Sequence, residues 1–148
     1  MQVPKFKDFL TEAKEEKDFL RLLIITDEPE EAKTFHTADR LREECDKLKY
    51  PHYLFKLSGG YTTFEDGIRR FHNKDDKKGF EITTDTVAVI RGSVTRKDSW
   101  LDYVSILERA NVCLVNSRQC ISVCADKYRT SLRLADYGLT EQKTILIN

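Results

Sequence analysis

Arg91, Gly92 and Ser93 stand together at the end of an apolar run, with Arg96 and Lys97 shortly after them. A guanidinium held in a fixed place offers paired donors that suit a carboxylate or a phosphate. The adjacent glycine leaves backbone N–H groups open to the same anion. Asn116 and Ser117 close a second apolar run, and Asp27 and Glu28 a third. Two neighbouring acids after a strand are what a receiver domain uses. Such a domain also needs an aspartate at the end of its third strand, where this sequence has Arg91. The acidic pair reads better as a loop that caps the following helix.

Other chemistries find less support. No G-x-x-x-x-G-K-S/T phosphate loop is present, and Gly59-Gly60 are not followed by the third glycine of a dinucleotide fingerprint. There is no G-x-S-x-G nucleophile elbow. Cys120 and Cys124 would share one helix face, but zinc needs four ligands and no second Cys or His pair exists. His36, His52 and His72 are scattered. The four cysteines, Cys45, Cys113, Cys120 and Cys124, fall inside periodic elements and read as buried, reduced thiols packing like small hydrophobes. Neither a metal site nor a catalytic residue is assigned.

The elements that must position these groups follow from periodicity. Thr86-Val-Ala-Val-Ile90 is apolar and β-branched, the pattern of a strand buried on both faces, and Val112–Asn116 is a second such strand. Between them Trp100–Ala110 is amphipathic, and after them a helical pattern runs through Ala125-Asp126-Lys127 to Tyr137, stopped at Gly138. Earlier, Pro4–Phe19 has helical spacing, Leu20–Thr26 is a strand, Glu30–Leu48 a long helix and His52–Leu57 a strand. Thr62–Glu65 and Ile68–Phe71 flank Asp66-Gly67, a hairpin signal. Asn73–Gly79 reads as a solvated charged turn, Glu81–Thr83 as a further short strand and Thr144–Ile147 as a last strand. Strands alternating with helices predict an α/β fold with a parallel sheet and an inserted β-hairpin. Function in such sheets collects at the carboxyl ends of the strands, here Arg91-Gly92-Ser93 and Asn116-Ser117.

A chain of 148 residues that is 40% hydrophobic can fill one core. Its 25 basic and 25 acidic residues cancel, so nucleic acid is not an expected partner. Lys5 to Arg21 is too charged for a signal peptide, and no apolar run is long enough for a bilayer, which makes the cytoplasm the expected location.

Residues 126–139, DKYRTSLRLADYGL, together with Val115-Asn116-Ser117 before them and Lys143-Thr144 after, resemble ATP-grasp ligases of the RimK-like and glutathione-synthetase-like groups. Arg91 and Trp100–Ala110 resemble the strand-end arginine and following helix of that group. The resemblance spans 86–147, and Leu20–Thr26 with its helix fits the family's first βα unit. Gln142 stands where proline is usual, so entry into the next domain differs locally. The resemblance implies a three-layer, Rossmann-like pre-ATP-grasp domain over 1–138. It makes 139–148 the start of a linker and strand into an ATP-binding module beyond Asn148. Such ligases activate a carboxylate as an acyl phosphate and let an amine attack it. ATP and Mg²⁺ would serve the complete ligase, with neither expected on this stretch, which would be inactive alone. Arg91, Gly92, Ser93, Arg96, Asn116 and Ser117 would bind the small-molecule or peptide substrate. Lys127 would approach the nucleotide phosphates, or else form an ion pair at a helix start. The alternative is a stand-alone module without catalysis that binds a protein or small anion through Arg91 and Arg96.

Overall fold

The computed structural model of the chain describes residues 20–27, 37–91, 94 and 97–139. Arg21–Thr26 forms strand β1, whose last four residues are fully buried. An unbroken run of branched side chains fits a strand covered on both sides. β1 lies inside a four-stranded parallel sheet of order β2-β1-β6-β7, with β2 at His52–Lys56, β6 at Thr86–Arg91 and β7 at Cys113–Val115. Helix α1 (Thr37–Lys47) joins β1 to β2, and helix α2 (Asp98–Arg109) joins β6 to β7. In register, Leu23 lies between Tyr53 and Ala88, and Ile25 between Phe55 and Ile90. These alternate positions share one face, where they form a core with Trp100, Val104 and Leu107 of α2. Ile24 points to the other face, and α1 packs on β1 and β2, burying Ala38 and Cys45. No described helix is long and apolar enough to cross a membrane.

Between β2 and β6 the chain makes a second sheet, antiparallel, of order β3-β4-β5. β3 is Tyr61–Glu65, β4 Ile68–His72 and β5 Phe80–Glu81. The expected hairpin is thus two strands of a three-stranded sheet. Asp66 and Gly67 both have positive φ, 50° and 80°, as a two-residue turn matched to strand twist demands. Phe71 and Phe80 face the common core, where the Phe71 ring meets Phe55 edge-on at 5.0 Å.

Three expectations need correction. β7 is not buried on both faces: Cys113 and Val115 are exposed, because β7 ends the sheet among the described residues. The helical pattern expected through Ala125-Asp126-Lys127 to Tyr137 is not continuous: helix α3 (Arg118–Cys124) stops before it and helix α4 (Lys127–Asp136) carries the rest. Asp126 separates them in an extended conformation, its carboxylate accepting the Arg129 N–H at 3.0 Å as an N-cap. At the far end Gly138 takes φ 65°, and Leu139 donates its N–H back to the Leu134 carbonyl, closing α4. Third, Asn73–Gly79 is a charged turn exposed at Lys74, Asp75, Lys77 and Lys78, as expected, but Asn73, Asp76 and Gly79 are half-buried against the fold.

That segment fastens the two sheets together. In β2 the Leu54 carbonyl and Lys56 N–H point away from β1, since Leu57 is the residue that donates to Thr26 and parallel strands alternate. Asn73 satisfies both, donating Nδ2–H to Leu54 at 2.8 Å and accepting from Lys56 through Oδ1 at 2.9 Å. The Tyr53 hydroxyl accepts the Asn73 N–H at 3.1 Å and donates to Asp76 Oδ2 at 2.7 Å. Asp76 Oδ1 accepts from the Lys78 and Gly79 N–H groups. Burial first, then the bond to Asp76, pushes the Tyr53 pKa up to about 12, and the same bond holds Asp76 below the usual carboxylate value.

The helix Pro4–Phe19, the start of the helix at Glu30, the strand Thr144–Ile147 and nearly all of the 139–148 linker lie outside the described residues.

Removing the Asn73 side chain strands two backbone groups, so Asn73→Ala should lower unfolding free energy by about 2–3 kcal/mol. A urea midpoint within error of the parent would show that water replaces the amide freely. Because the Tyr53 pKa is raised on folding, its contribution is full below the unfolded value near 10 and fades as pH climbs towards 12. Alkaline titration followed by tyrosinate absorbance, with Tyr53→Phe as the control, should lose one late-ionising group in the variant.

Candidate functional site

Strand order determines where an opening can form. From β1 the crossover through α1 leads to β2 on one side, while β6 lies on the other side and continues to β7. Connections diverge between β1 and β6, and the carboxyl ends there form the switch-point crevice of an α/β sheet. Thr26 ends β1 and is paired with Arg91 of β6 and with Lys56 of β2. Two cations therefore stand on either side of a buried threonine, one strand spacing away, roughly 4.8 Å each. Asp27 follows at 8% exposure, while Arg91 is exposed. Among the described residues Arg91 has no ion-pair partner. Its paired donors can meet a carboxylate or phosphate at this edge. Gly92, Ser93 and Arg96 lie outside the described residues, as does Glu28. Val94 is buried at 1% exposure, and Lys97 sits 5.1 Å over the Trp100 ring.

The structure brings Asn116 to the same end of the sheet. Val115 pairs with Val89, which sets Asn116 level with Ile90, one residue before Arg91. Asn116 has φ 77°, a left-handed conformation that asparagine tolerates. Ser117 is the N-cap of α3, its hydroxyl oxygen accepting the Cys120 N–H at 3.2 Å. Lys127 is the exposed first residue of α4. The ion pair at that helix start goes to Arg129, whose Nε is 3.8 Å from Asp126.

The thiols depart from expectation. Only Cys45 is buried, and burial, then Asp46 and Glu44, raises its pKa. Cys113, Cys120 and Cys124 are exposed, since β7 ends the sheet among the described residues and α3 buries none of its residues. The Cys120 and Cys124 sulfurs are 4.0 Å apart, on one helix face as their spacing requires. No group of three or more His, Cys, Asp or Glu that could hold a metal occurs among the described residues.

A second opening escaped the sequence altogether. A cavity of about 690 Å³ lies over the antiparallel sheet, walled by Arg21, Tyr61, Thr63, Arg70, Lys77 and Lys78 among others. His72 forms part of its floor and is nearly inaccessible. Its Nδ1 faces the Asp76 carbonyl at 3.0 Å, which fixes a proton on that nitrogen, and Nε2 meets the Thr63 hydroxyl at 2.9 Å. The Tyr61 ring stacks on it at 4.7 Å, and a side chain at Gly79 would come within 2.5 Å of it. His72 is thus a structural pillar, and the cations around it are the chemically available groups. They come from three separate chain segments, so no local motif announces them.

No family model matches the chain, and no curated protein matches it.

With three thiols exposed and one buried, a disulfide reagent should modify Cys113, Cys120 and Cys124 in the native protein and Cys45 only after unfolding. Mass mapping of the labelled peptides checks this; prompt labelling of Cys45 would refute the burial by α1.

Proposed function

We propose that this chain is the substrate-side domain of an ATP-dependent carboxylate–amine ligase. The observation that carries the reading is Arg91 beside Thr26 at the switch point of the parallel sheet, exposed and free of an ion-pair partner among the described residues. A guanidinium there suits the carboxylate to be activated, with Gly92, Ser93, Arg96, Asn116 and Ser117 completing the substrate side and Lys127 turned to the nucleotide. A parallel α/β sheet carrying an antiparallel insertion is compatible with the Rossmann-like, pre-ATP-grasp architecture that the sequence resemblance implies.

ATP and Mg²⁺ fit no described site. Among the described residues there is no cluster of three metal-ligating side chains, and the sequence has no glycine-rich phosphate loop. Phosphoryl transfer falls to the ATP-grasp module that the resemblance implies, and this chain's part is to hold and orient the acceptor. The exposed, unpaired thiols suit a reducing cytoplasm. A binding module without catalysis is the second reading, favoured by the cationic cavity at the opposite end of β1.

Titrating residues 1–148 with small carboxylates, acetylglutamate first, should shift amide resonances around Arg91. Arg91→Ala should weaken that binding about tenfold or more, the scale of one charge-assisted pair. Equal affinity in the variant would remove Arg91 from the site. Incubated with ATP, Mg²⁺, a carboxylate and an amine, residues 1–148 alone should release no ADP; amide formation would overturn the division of labour.

A further inference from the structure

Strand β3 is where two cavities meet. Tyr61, Thr63 and Glu65 line the larger, of about 690 Å³. Thr62 and Phe64 line a smaller one of about 260 Å³, together with Arg69, Ile106 and Arg109, and Thr63 borders both. Alternate residues of one strand thus serve opposite faces, as pleating requires. β3 ends the antiparallel sheet, and no other strand pairs with it among the described residues. Its turn to β4 has two residues, so Glu65 and Ile68 exchange both backbone bonds, as do Thr63 with Arg70 and Tyr61 with His72. The N–H and C=O groups of Thr62 and Phe64 consequently point outward. β3 contains neither lysine nor proline, the residues that commonly keep an edge from pairing. The Phe64 side chain is 65% exposed beside this edge.

We propose that β3 is the docking edge for an extended acidic peptide, which adds to the sheet as a further strand and sends alternate side chains into the two cavities. Charge selects the occupant. The smaller cavity has Arg69 and Arg109 in its wall and no carboxylate. In the larger one Arg70 is neutralised by Glu81 at 3.1 Å, leaving Arg21, Lys77 and Lys78 against Glu65. Both sides therefore favour carboxylates, while Phe64 and Ile106 supply apolar contact. A second copy of the chain would set these cations against their own images, so self-pairing is opposed. Main-chain bonds give such a complex its affinity and the flanking cavities its selectivity. The edge is near Arg21, at the amino end of β1. Arg91 adjoins the carboxyl end, about 16 Å away along a strand rising roughly 3.3 Å per residue. The inference is accordingly independent of the role given to Arg91.

The test uses residues 1–148 and an octapeptide alternating glutamate and valine. Saturable binding is expected, with slowed hydrogen exchange at the Thr62 and Phe64 amides. N-methylation of alternate peptide residues should abolish binding in one phase and spare it in the other. Lys77→Glu with Lys78→Glu, both at exposed positions, should weaken binding about tenfold and flatten its salt dependence. The proposal is overturned if both methylated phases bind alike, if a lysine–valine octapeptide or an oligothymidine binds as tightly, or if nothing binds at millimolar peptide. It is equally overturned if the Thr62 and Phe64 amides become protected only through concentration-dependent dimerisation.

Discussion

The outer side of β2 carries a carbonyl and an N–H that no strand pairs among the described residues, and one asparagine amide answers both. Asn73 has a donor and an acceptor at the right separation to act as a one-residue strand against Leu54 and Lys56. An unpaired backbone group at a partly covered edge is costly, so this fit closes the parallel sheet and also dictates where the second sheet begins. Tyr53 extends the junction, its hydroxyl linking Asn73 to Asp76 and its ring stacking on Phe80 at 5.4 Å. Two further contacts hold the insertion from its other side. Tyr103 of α2 donates to the Gly60 carbonyl at 2.8 Å, and a side chain at Gly60 would collide with the Phe55 ring. Among the described residues no buried side-chain polar atom is left without a partner. The cavity above β3–β5 owes its existence to this junction, because it is the placement of the small sheet that carries Arg70 and Lys78 to Arg21.

How far the fold could be read in advance depended on whether a signal was local. β1 and β6 are continuous branched runs, and burial on a sheet is the plain reason for such runs; the Asp66-Gly67 turn is specified by two residues that accept positive φ. Arg91 at a strand end was likewise legible, since its position needs only the end of β6. Asn73 was not. Five charged residues between it and Gly79 dominate the composition, and the bonds that matter reach back about twenty positions to Tyr53 and Lys56. Three cysteines were misjudged for a related reason: Cys113 has the company of apolar neighbours, yet its exposure is decided by β7 lying at the end of the sheet. Asp126 could have been recognised as a helix start, had its capping role been weighed above the periodicity that runs through it.

Charge is distributed in a way the totals conceal. The chain is formally neutral, but the two ends of β1 each gather cations beside apolar walls, Lys56 and Arg91 at one and Arg21 with its neighbours at the other. Intervening acids are occupied structurally: Asp76 receives Tyr53 and two backbone N–H groups, Asp126 caps a helix, and Asp85 accepts the Thr83 hydroxyl. Carboxylates that serve the fold compete less with a bound anion than carboxylates free to reorient.

β1 is paired along its length with β6, and Arg21 meets Thr86 across the entire insertion. β3 and β4, by contrast, are neighbours in sequence. Closing a long loop must be compensated by contacts made only afterwards, whereas a tight hairpin closes in microseconds. The small sheet can therefore exist before the large one, presenting Phe71 and Phe80 as a preformed surface on which Phe55 and then β1 assemble. A segment that looks like an appendage to the parallel sheet is thus able to serve as a foundation for it.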